Sequence, residues 1–316
     1  MSKAKWILSG VAFIVVLAAI VISIGSSAPR SFPIGHSISI PKGTTLGEAA
    51  DLLAKDGIIR SPFLFKVYTT ILDGTTGVKT GEYLFSQAQS SFGIAYRLVN
   101  GLQGFPVVKV TIPEGSDYAD VAAIVAKAIP SFDEASFLAI AKSEEGYLFP
   151  DTYFWPTNVK PAQVAADMKA LFDVKVRTVA SDIATSSRSA SDIIKMASIV
   201  EKEATSSADR RIVAGILWKR IDAGMALQVD PPFEYFLHKK SSQLTLDDLK
   251  VESPYNLYMN AGLPPTPIDN PGLDAITDTL HPAKTPYWYY LSGKDGVMHY
   301  AATLDQHAAN KNRYLN

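Results

Sequence analysis

The feature that most constrains this chain is an apolar run near its N-terminus, Trp6–Ile24, which carries no charged residue. Its length is close to the roughly 20 residues that an α-helix needs to cross a lipid bilayer. The run therefore predicts a transmembrane helix. Lys3 and Lys5 precede it, and this positive charge predicts that the N-terminus lies in the cytoplasm and the rest of the chain outside it.

A cleaved signal peptide is the alternative interpretation of this run. The apolar core of a signal peptide is only about 7–15 residues long, which is shorter than Trp6–Ile24. Ser26, Ser27 and Ala28 could imitate a cleavage site, but Pro29 follows them directly. We therefore predict an uncleaved anchor, followed by a short tether over residues 25–35.

The composition of the 316-residue chain excludes several classes of function. Lys and Arg (30) almost balance Asp and Glu (31), so nothing indicates a nucleic-acid-binding protein. The absence of cysteine excludes disulfides, thiolate catalysis and cysteine-based metal sites. The five histidines lack the spacing of an HExxH motif, and there is no glycine-rich phosphate loop, so we expect neither a metal nor a cofactor.

Residues 36–104 predict a small α+β module. Ser37–Ile40 alternates as a short strand, and Thr45 can cap a helix over Leu46–Lys55. This strand, turn and helix resemble the carbohydrate-binding LysM module, although a plain α+β packing unit would show the same pattern. Residues 107–128 repeat the pattern, including its Ile-Pro-x-Gly turn.

A helix predicted over Ser189–Ala204 contains the main candidate for a catalytic group. Its apolar side chains follow helical spacing and form one stripe: Ile193, Met196, Ala197, Val200 and Ala204. Glu201 lies at the edge of this stripe, where partial burial raises the pKa of a carboxyl and suits it to hold a proton near neutral pH. Glu203 leaves the helix on another side, so the two acids cannot face each other. The alternative is that Glu201 is a solvated residue at the end of the helix.

Two later segments predict a polar groove beside this helix. Ala226–Asp230 alternates as a strand, which places Gln228 and Asp230 on one face, although an amphipathic edge strand would alternate in the same way. Residues 253–272 are rich in Pro, Tyr and Asn, so they predict a rigid irregular loop. This loop either contacts sugar rings or is purely structural, and its candidate contacts are Tyr255, Asn256 and Tyr258.

The rest of the second half predicts helices joined by short strands and loops. A polar connection is expected over Ser181–Ser189, and a helix over Leu273–Leu280 with Asn270 as its N-cap. A hairpin is expected over Tyr287–Ala301. The predicted fold class is therefore α+β, with an N-terminal transmembrane helix, a LysM-like module and a mixed α+β catalytic domain.

The chain resembles the YceG-like (MltG) endolytic murein transglycosylases of the bacterial inner membrane. The motifs that carry this resemblance stand in the family's order: LFPDTYFW at 148–155, MASIVEKEA at 196–204, LQVDP at 227–231, SPYNLY at 253–258, GLPPTPIDNPG at 262–272 and HPAKTPYWYY at 281–290. The resemblance covers the whole chain and is most specific in its second half. One departure is Pro232, where the family usually has a small hydroxyl residue.

The resemblance implies cleavage of the β-1,4 bond between N-acetylmuramic acid and N-acetylglucosamine in peptidoglycan. The muramyl 6-hydroxyl attacks its own anomeric carbon and leaves a 1,6-anhydro end, and such a step ends the elongation of a nascent strand. Glu201 is the residue that corresponds to the family's catalytic glutamate. An internal nucleophile can operate with one carboxyl, whereas a hydrolase needs two that flank the bond.

The expected substrate contacts are Gln228, Asp230, Tyr255, Asn256 and Tyr258, together with Glu203 and His281, either of which could instead only hold its helix or loop in place. The expected partners are peptidoglycan strands, the membrane and cell-wall synthases. The expected segments are a cytoplasmic tail (1–5), an anchor (6–24), a linker (25–35), a LysM-like module (36–104) and an extracytoplasmic catalytic domain (105–316). Two alternatives stay open: a glycan-binding scaffold that does not cleave, and a hydrolase with Asp230 or Asp151 as its second carboxylate.

The anchor interpretation predicts that residues 6–24 are retained in the mature protein. Terminal sequencing of protein purified from membranes should find an N-terminus at or next to Met1, because no cleavage follows Ala28. A mature N-terminus near Pro29 would contradict it.

Overall fold

The first element is a long apolar helix, α1, over Lys3–Ser26. In this computed structural model, which describes residues 3–73 and 77–315, the stretch Trp6–Ser26 is long and apolar enough to cross a membrane. Its most apolar window has a mean hydropathy of 3.0 and is not buried by the rest of the chain. The predicted helix is confirmed, and it fits a single-pass membrane anchor.

The chain divides between Pro106 and Val107 into two compact units. The first unit contains, after α1, the elements β1 (Ser37–Ile40), α2 (Leu46–Lys55), α3 (Pro62–Asp73), β2 (Gly81–Leu84) and α4 (Ser91–Asn100). β1 and β2 are antiparallel, with Ser37 opposite Leu84. Thr45 caps α2 in a capping box with Glu48, as its sequence predicts. Whether this module is LysM-like stays a prediction.

The segment predicted as a short tether is packed against the first unit. Phe32 belongs to the hydrophobic core, where its ring meets the edge of Phe85 at 5.8 Å between centroids. The Arg60 guanidinium donates two hydrogen bonds of 3.0 Å to the carbonyl of Ala28. The Ser- and Pro-rich stretch over residues 25–35 therefore contains one core aromatic, and this short connection is packed against the module that follows it.

The second unit is a mixture of helices and two-stranded antiparallel sheets, in which β3 pairs with β4 and β5 pairs with β6. Its strands are β3 (Val107–Thr111), β4 (Thr152–Pro156), β5 (Tyr289–Ser292) and β6 (Met298–Ala301). Its helices are α5 (Tyr118–Ala128), α6 (Glu134–Ala141), α7 (Pro161–Val176), α8 (Ala180–Thr185), α9 (Ala190–Glu203), α10 (Ser207–Asp222), α11 (Pro231–Leu237), α12 (Leu273–Leu280) and α13 (Leu304–Tyr314). The predicted α+β class is confirmed.

Two local predictions in this unit are wrong. Helix α8 occupies part of the expected polar connection over Ser181–Ser189. The strand expected over Ala226–Asp230 does not form, because Gln228 has a positive φ of 51°, which breaks the extended backbone. Pro231 stands at the first position of α11, where a helix tolerates proline well, so it does not mark an edge strand.

Helix α9 is held in place by α10 and α12. Its apolar stripe is buried, as predicted, against side chains such as Val213 and Leu217 of α10. Arg210 of α10 donates a 2.9 Å hydrogen bond from Nε to Asp278 of α12, and both side chains are buried. This ion pair fixes the two helices that flank the C-terminal end of α9.

A buried amide, that of Asn270, joins three separate segments. Its Oδ1 accepts hydrogen bonds from the N–H groups of Gly146 (2.9 Å) and Leu148 (2.8 Å). Its Nδ2 donates to the carbonyl of Ser116 (2.9 Å) and to Glu145 Oε1 (3.0 Å). Asn270 is therefore not the N-cap of α12, a position that Gly272 occupies, and the prediction of that cap is wrong.

Glu145 completes this network from a fully enclosed position. Its side chain is 2% exposed, and its Oε2 accepts a 3.1 Å hydrogen bond from the N–H of Tyr118. Burial raises the pKa of Glu145 to about 8, although the hydrogen bonds from the Tyr118 and Gly146 N–H groups act in the opposite direction. The carboxyl therefore carries a proton at neutral pH.

This proton makes stability depend on pH. In the unfolded chain Glu145 loses its proton near pH 4.3, whereas in the folded chain it keeps it until about pH 8. The folded state binds more protons between these values, so the free energy of unfolding falls as the pH rises. Glu145→Gln should reduce this fall by about 3–4 kcal/mol between about pH 5 and 8.

Chemical denaturation at several pH values measures this effect. Glu134→Gln changes an exposed glutamate at the start of α6 and serves as the control. A Glu145→Gln profile with the same slope as the wild-type protein would show that no proton is held at this position.

Candidate active site

Glu201 lies in the last turn of α9, half-buried, and one of its oxygens is held by the backbone. Its Oε2 accepts a 2.9 Å hydrogen bond from the N–H of Gly272, the residue that precedes α12. A Cβ atom on Gly272 would lie 2.0 Å from Glu114 Oε1, so the absence of a side chain there lets Glu114 come close. Glu201 Oε1 accepts no hydrogen bond from the described residues.

The surroundings of Glu201 favour its protonated form. Burial raises the pKa of the carboxyl, and the nearby charges of Glu114 and Asp274 raise it further. The hydrogen bond from Gly272 and the positive charge of Arg210 act in the opposite direction. The edge position of Glu201 and the raised pKa of its carboxyl are those that the helical spacing predicts.

The turn that follows β3 lies against Glu201. Gly115 has a φ of 72°, which favours glycine, and its N–H donates a 3.1 Å hydrogen bond to the carbonyl of Asn270. A Cβ atom on Gly115 would lie 3.5 Å from Glu201 Cγ and 3.5 Å from Lys202 Cε. This turn is the second copy of the repeated Ile-Pro-x-Gly pattern, which is the sequence signal that could have placed Glu114 and Gly115 in the site.

Helix α11 supplies aromatic rings next to the end of α9. Lys202 Nζ lies 3.6 Å from Glu234 of α11. The Tyr235 ring lies 6.4 Å from Tyr118 and 5.2 Å from Tyr255, measured between centroids. Tyr255 also exchanges a 2.8 Å hydrogen bond with the hydroxyl of Thr266. These three tyrosines form an aromatic cluster, and such rings offer flat apolar faces to sugars.

Glu203 and Asp230 come together in a second acidic cluster. The Tyr258 hydroxyl donates a 2.7 Å hydrogen bond to Asp230 Oδ1, and the Ser241 hydroxyl donates one of 2.9 Å to Oδ2. Burial and the charge of Asp230 together raise the pKa of Glu203 to about 7, although the Tyr290 hydroxyl acts in the opposite direction. A different set of charges acts on the pKa of Glu201, so the two glutamates of α9 lie in different electrostatic environments.

Gln228 and His281, two other predicted substrate contacts, lie in different parts of the second unit. Gln228 is exposed, and its N–H donates a 2.9 Å hydrogen bond to the carbonyl of Leu257, which places it beside the 253–258 loop. His281 follows the far end of α12, and its Nε2 lies 3.0 Å from Asp182. Because α12 is about 12 Å long, His281 is not brought to Glu201.

The side chain of Asn256 has a structural role in the loop. It is fully buried, and its Nδ2 donates hydrogen bonds to the carbonyls of Leu249 (3.0 Å) and Val251 (2.8 Å). Its Oδ1 accepts a 3.0 Å hydrogen bond from the N–H of Tyr258. The expectation that this side chain faces the groove is therefore wrong, because all of its polar atoms hold the loop.

Asp269 is a further acid that the sequence did not single out. It is fully buried, and neither of its carboxyl oxygens has a hydrogen-bond partner. Burial raises the pKa of this carboxyl well above its usual range, while the charge of Lys202 lowers it. Within the part of the chain that the structure describes, no group of three or more His, Asp or Glu side chains is arranged to hold a metal ion.

Comparison with known proteins identifies the family of the chain. The profile of the YceG-like family matches residues 38–313. An endolytic murein transglycosylase of Bacillus subtilis (strain 168) is 30% identical, over 88% of this chain and 84% of the relative. An endolytic murein transglycosylase of Streptococcus pneumoniae (strain D39) is 26% identical over 89% of this chain, which spans 58% of that longer relative.

A solved structure shows the same relationship. The 2.6 Å crystal structure of a YceG-like protein from Listeria monocytogenes superimposes with a TM-score of 0.60 at 30% identity. The match covers 87% of this chain and 99% of the crystallised one. The chain therefore belongs to the YceG-like family, as its motifs indicate.

Proposed function

We propose that this protein is a membrane-anchored endolytic murein transglycosylase, a lyase that cleaves the MurNAc-β-1,4-GlcNAc bond and leaves 1,6-anhydroMurNAc ends. The observation that carries the proposal is the environment of the Glu201 carboxyl. One of its oxygens is held by the Gly272 N–H, the other accepts no hydrogen bond from the described residues, and burial raises the pKa of the carboxyl. The names of the relatives supply the substrate class, which is murein.

Glu201 acts first as an acid and then as a base. Its proton passes to the glycosidic oxygen as the bond to the anomeric carbon breaks, and the GlcNAc hydroxyl leaves. The carboxylate that remains takes the proton of the muramyl 6-hydroxyl as that oxygen bonds to the anomeric carbon. The nucleophile belongs to the same sugar, so this second step is unimolecular and competes well with water.

The groove beside Glu201 binds the glycan strand. Tyr118, Tyr235 and Tyr255 form the aromatic cluster on which sugar faces can stack. Gln228, which is exposed, and the hydrogen-bonded pair of Asp230 and Tyr258 provide polar contacts further along. The first unit adds a LysM-like glycan contact, and the anchored enzyme ends the elongation of new strands close to cell-wall synthases.

A two-carboxylate hydrolase is the second candidate function, and one observation favours it. The Glu114 carboxyl is close enough to Gly272 and Glu201 to raise the pKa of Glu201. Asp230 and Asp151 fit this role less well, because Asp230 pairs with Tyr258 and Asp151 lies 3.5 Å from Lys175. Product analysis distinguishes the two functions, since a hydrolase leaves ordinary reducing ends.

Glu201→Gln should lower the yield of 1,6-anhydromuramyl products by about 10²–10⁴-fold, because the amide cannot carry a proton in either direction. Mass spectrometry of purified glycan strands after digestion by the full-length protein measures this yield. The Glu201→Gln variant should still fold, because the Gln side chain keeps an oxygen that accepts the hydrogen bond from the Gly272 N–H.

Glu203→Gln is the matched control on the same helix, and Asp230→Asn tests the second acidic cluster. Both should retain far more activity than Glu201→Gln. Undiminished product from Glu201→Gln would overturn the proposal. Reducing ends from the wild-type protein, together with an equally severe loss in Glu114→Gln, would establish the hydrolase instead.

A further inference from the structure

The C-terminal end of α1 is attached to the module that follows it. The hydroxyls of Ser26 and Tyr68 are 2.5 Å apart, and the Ser91 hydroxyl donates a 3.4 Å hydrogen bond to the carbonyl of Gly25. Gly25 also approaches α3 closely, since a Cβ atom there would lie 2.8 Å from Leu64 Cδ1. Helices α3 and α4 therefore begin beside the point at which α1 ends.

An exposed aromatic side chain lies beside the apolar part of α1. Phe63, in the first turn of α3, is 68% exposed. Together with Val21, Ile22 and Ile24 of α1 it lines a largely apolar cavity of about 480 Å³. Val21 lies five residues before Ser26, or about 7 Å along the helix axis. If the span is in the bilayer, Phe63 is at a depth at which lipid replaces water.

Other exposed side chains on α3 and α4 also suit contact with a lipid surface. Phe92 (47% exposed) and Tyr96 (48% exposed) are one turn apart on α4, and the Phe92 ring meets Tyr68 at 5.5 Å. Aromatic side chains are favoured at the boundary between lipid and water. Lys66 of α3 is an exposed cation, which suits anionic headgroups.

We propose that the surface of the first unit that carries Phe63, Phe92 and Tyr96 rests on the bilayer, with Phe63 inserted among the lipids and Phe92 at the headgroups. The inference rests on the anchoring role of α1 within the proposed function. Lipid then covers the apolar cavity between α1 and α3, and the first unit is oriented by the membrane rather than tethered freely above it.

Single-cysteine labelling tests this inference, because the chain has no cysteine of its own. Phe63→Cys, Phe92→Cys, Val15→Cys and Lys42→Cys are each spin-labelled in the full-length protein, in nanodiscs of phosphatidylethanolamine and phosphatidylglycerol. Val15, in the middle of α1, reports on the anchor, and Lys42, exposed before α2, reports on the aqueous side. The ratio of oxygen to nickel-chelate accessibility reports the depth of each label.

The expected result is a severalfold higher ratio at residue 63 than at residue 42, approaching the value at residue 15, and a ratio at residue 92 that lies between those at residues 42 and 15. Ratios at residues 63 and 92 equal to that at residue 42, with residue 15 still in lipid, would overturn this inference and leave the anchor intact. An aqueous label at residue 15 would overturn the anchor itself. Circular dichroism of each labelled variant checks that the exposed substitutions leave the fold unchanged.

Discussion

The arrangement of the site depends on one buried amide. Asn270 satisfies the N–H groups of Gly146 and Leu148 and the acceptors of Ser116 and Glu145 at the same time. A buried polar group without partners is costly, and three of these four bonds satisfy a backbone group in the interior. Two residues later the same segment presents the Gly272 N–H to Glu201. The position of the acid therefore depends on contacts made across more than a hundred residues of chain.

The second unit keeps several acids out of water around this segment. Glu145 and Asp269 are almost fully enclosed, and burial raises the pKa of each carboxyl. Glu203, on the other side of α9, is shifted in the same direction. Groups of this kind reduce stability relative to apolar residues and are concentrated at functional sites.

The parts of the fold that depend on neighbouring residues could be predicted from the sequence. Thr45 with Glu48 marks the start of α2, and the bounds of α2 and α12 agree with their patterns. The edge position of Glu201 follows from helical spacing alone. The alternation over 226–230, by contrast, is also compatible with a loop that leads into a helix whose first residue is proline. The positive φ of Gln228 cannot be recognised from the sequence.

Side-chain roles set by distant partners could not be predicted in this way. Asn270 stands in a loop whose composition suits sugar contacts, yet its amide is used to hold the backbone. Spacing cannot reveal this, because the partners of Asn270 lie more than 120 residues away in the chain. Phe32 is a similar case, since nothing near it in sequence indicates the core that it enters.

The repeated Ile-Pro-x-Gly turn has two different environments. In the first unit the turn glycine, Gly43, has a φ of 87° and open space where a side chain would be. In the second unit Gly115 has a similar backbone, but its neighbours are Glu201 and Lys202. A local structure that forms from adjacent residues thus occurs once as a plain connection and once beside the candidate active site. Evolution can build a catalytic surface in this way by re-using a turn that already folds, and by changing what packs against it.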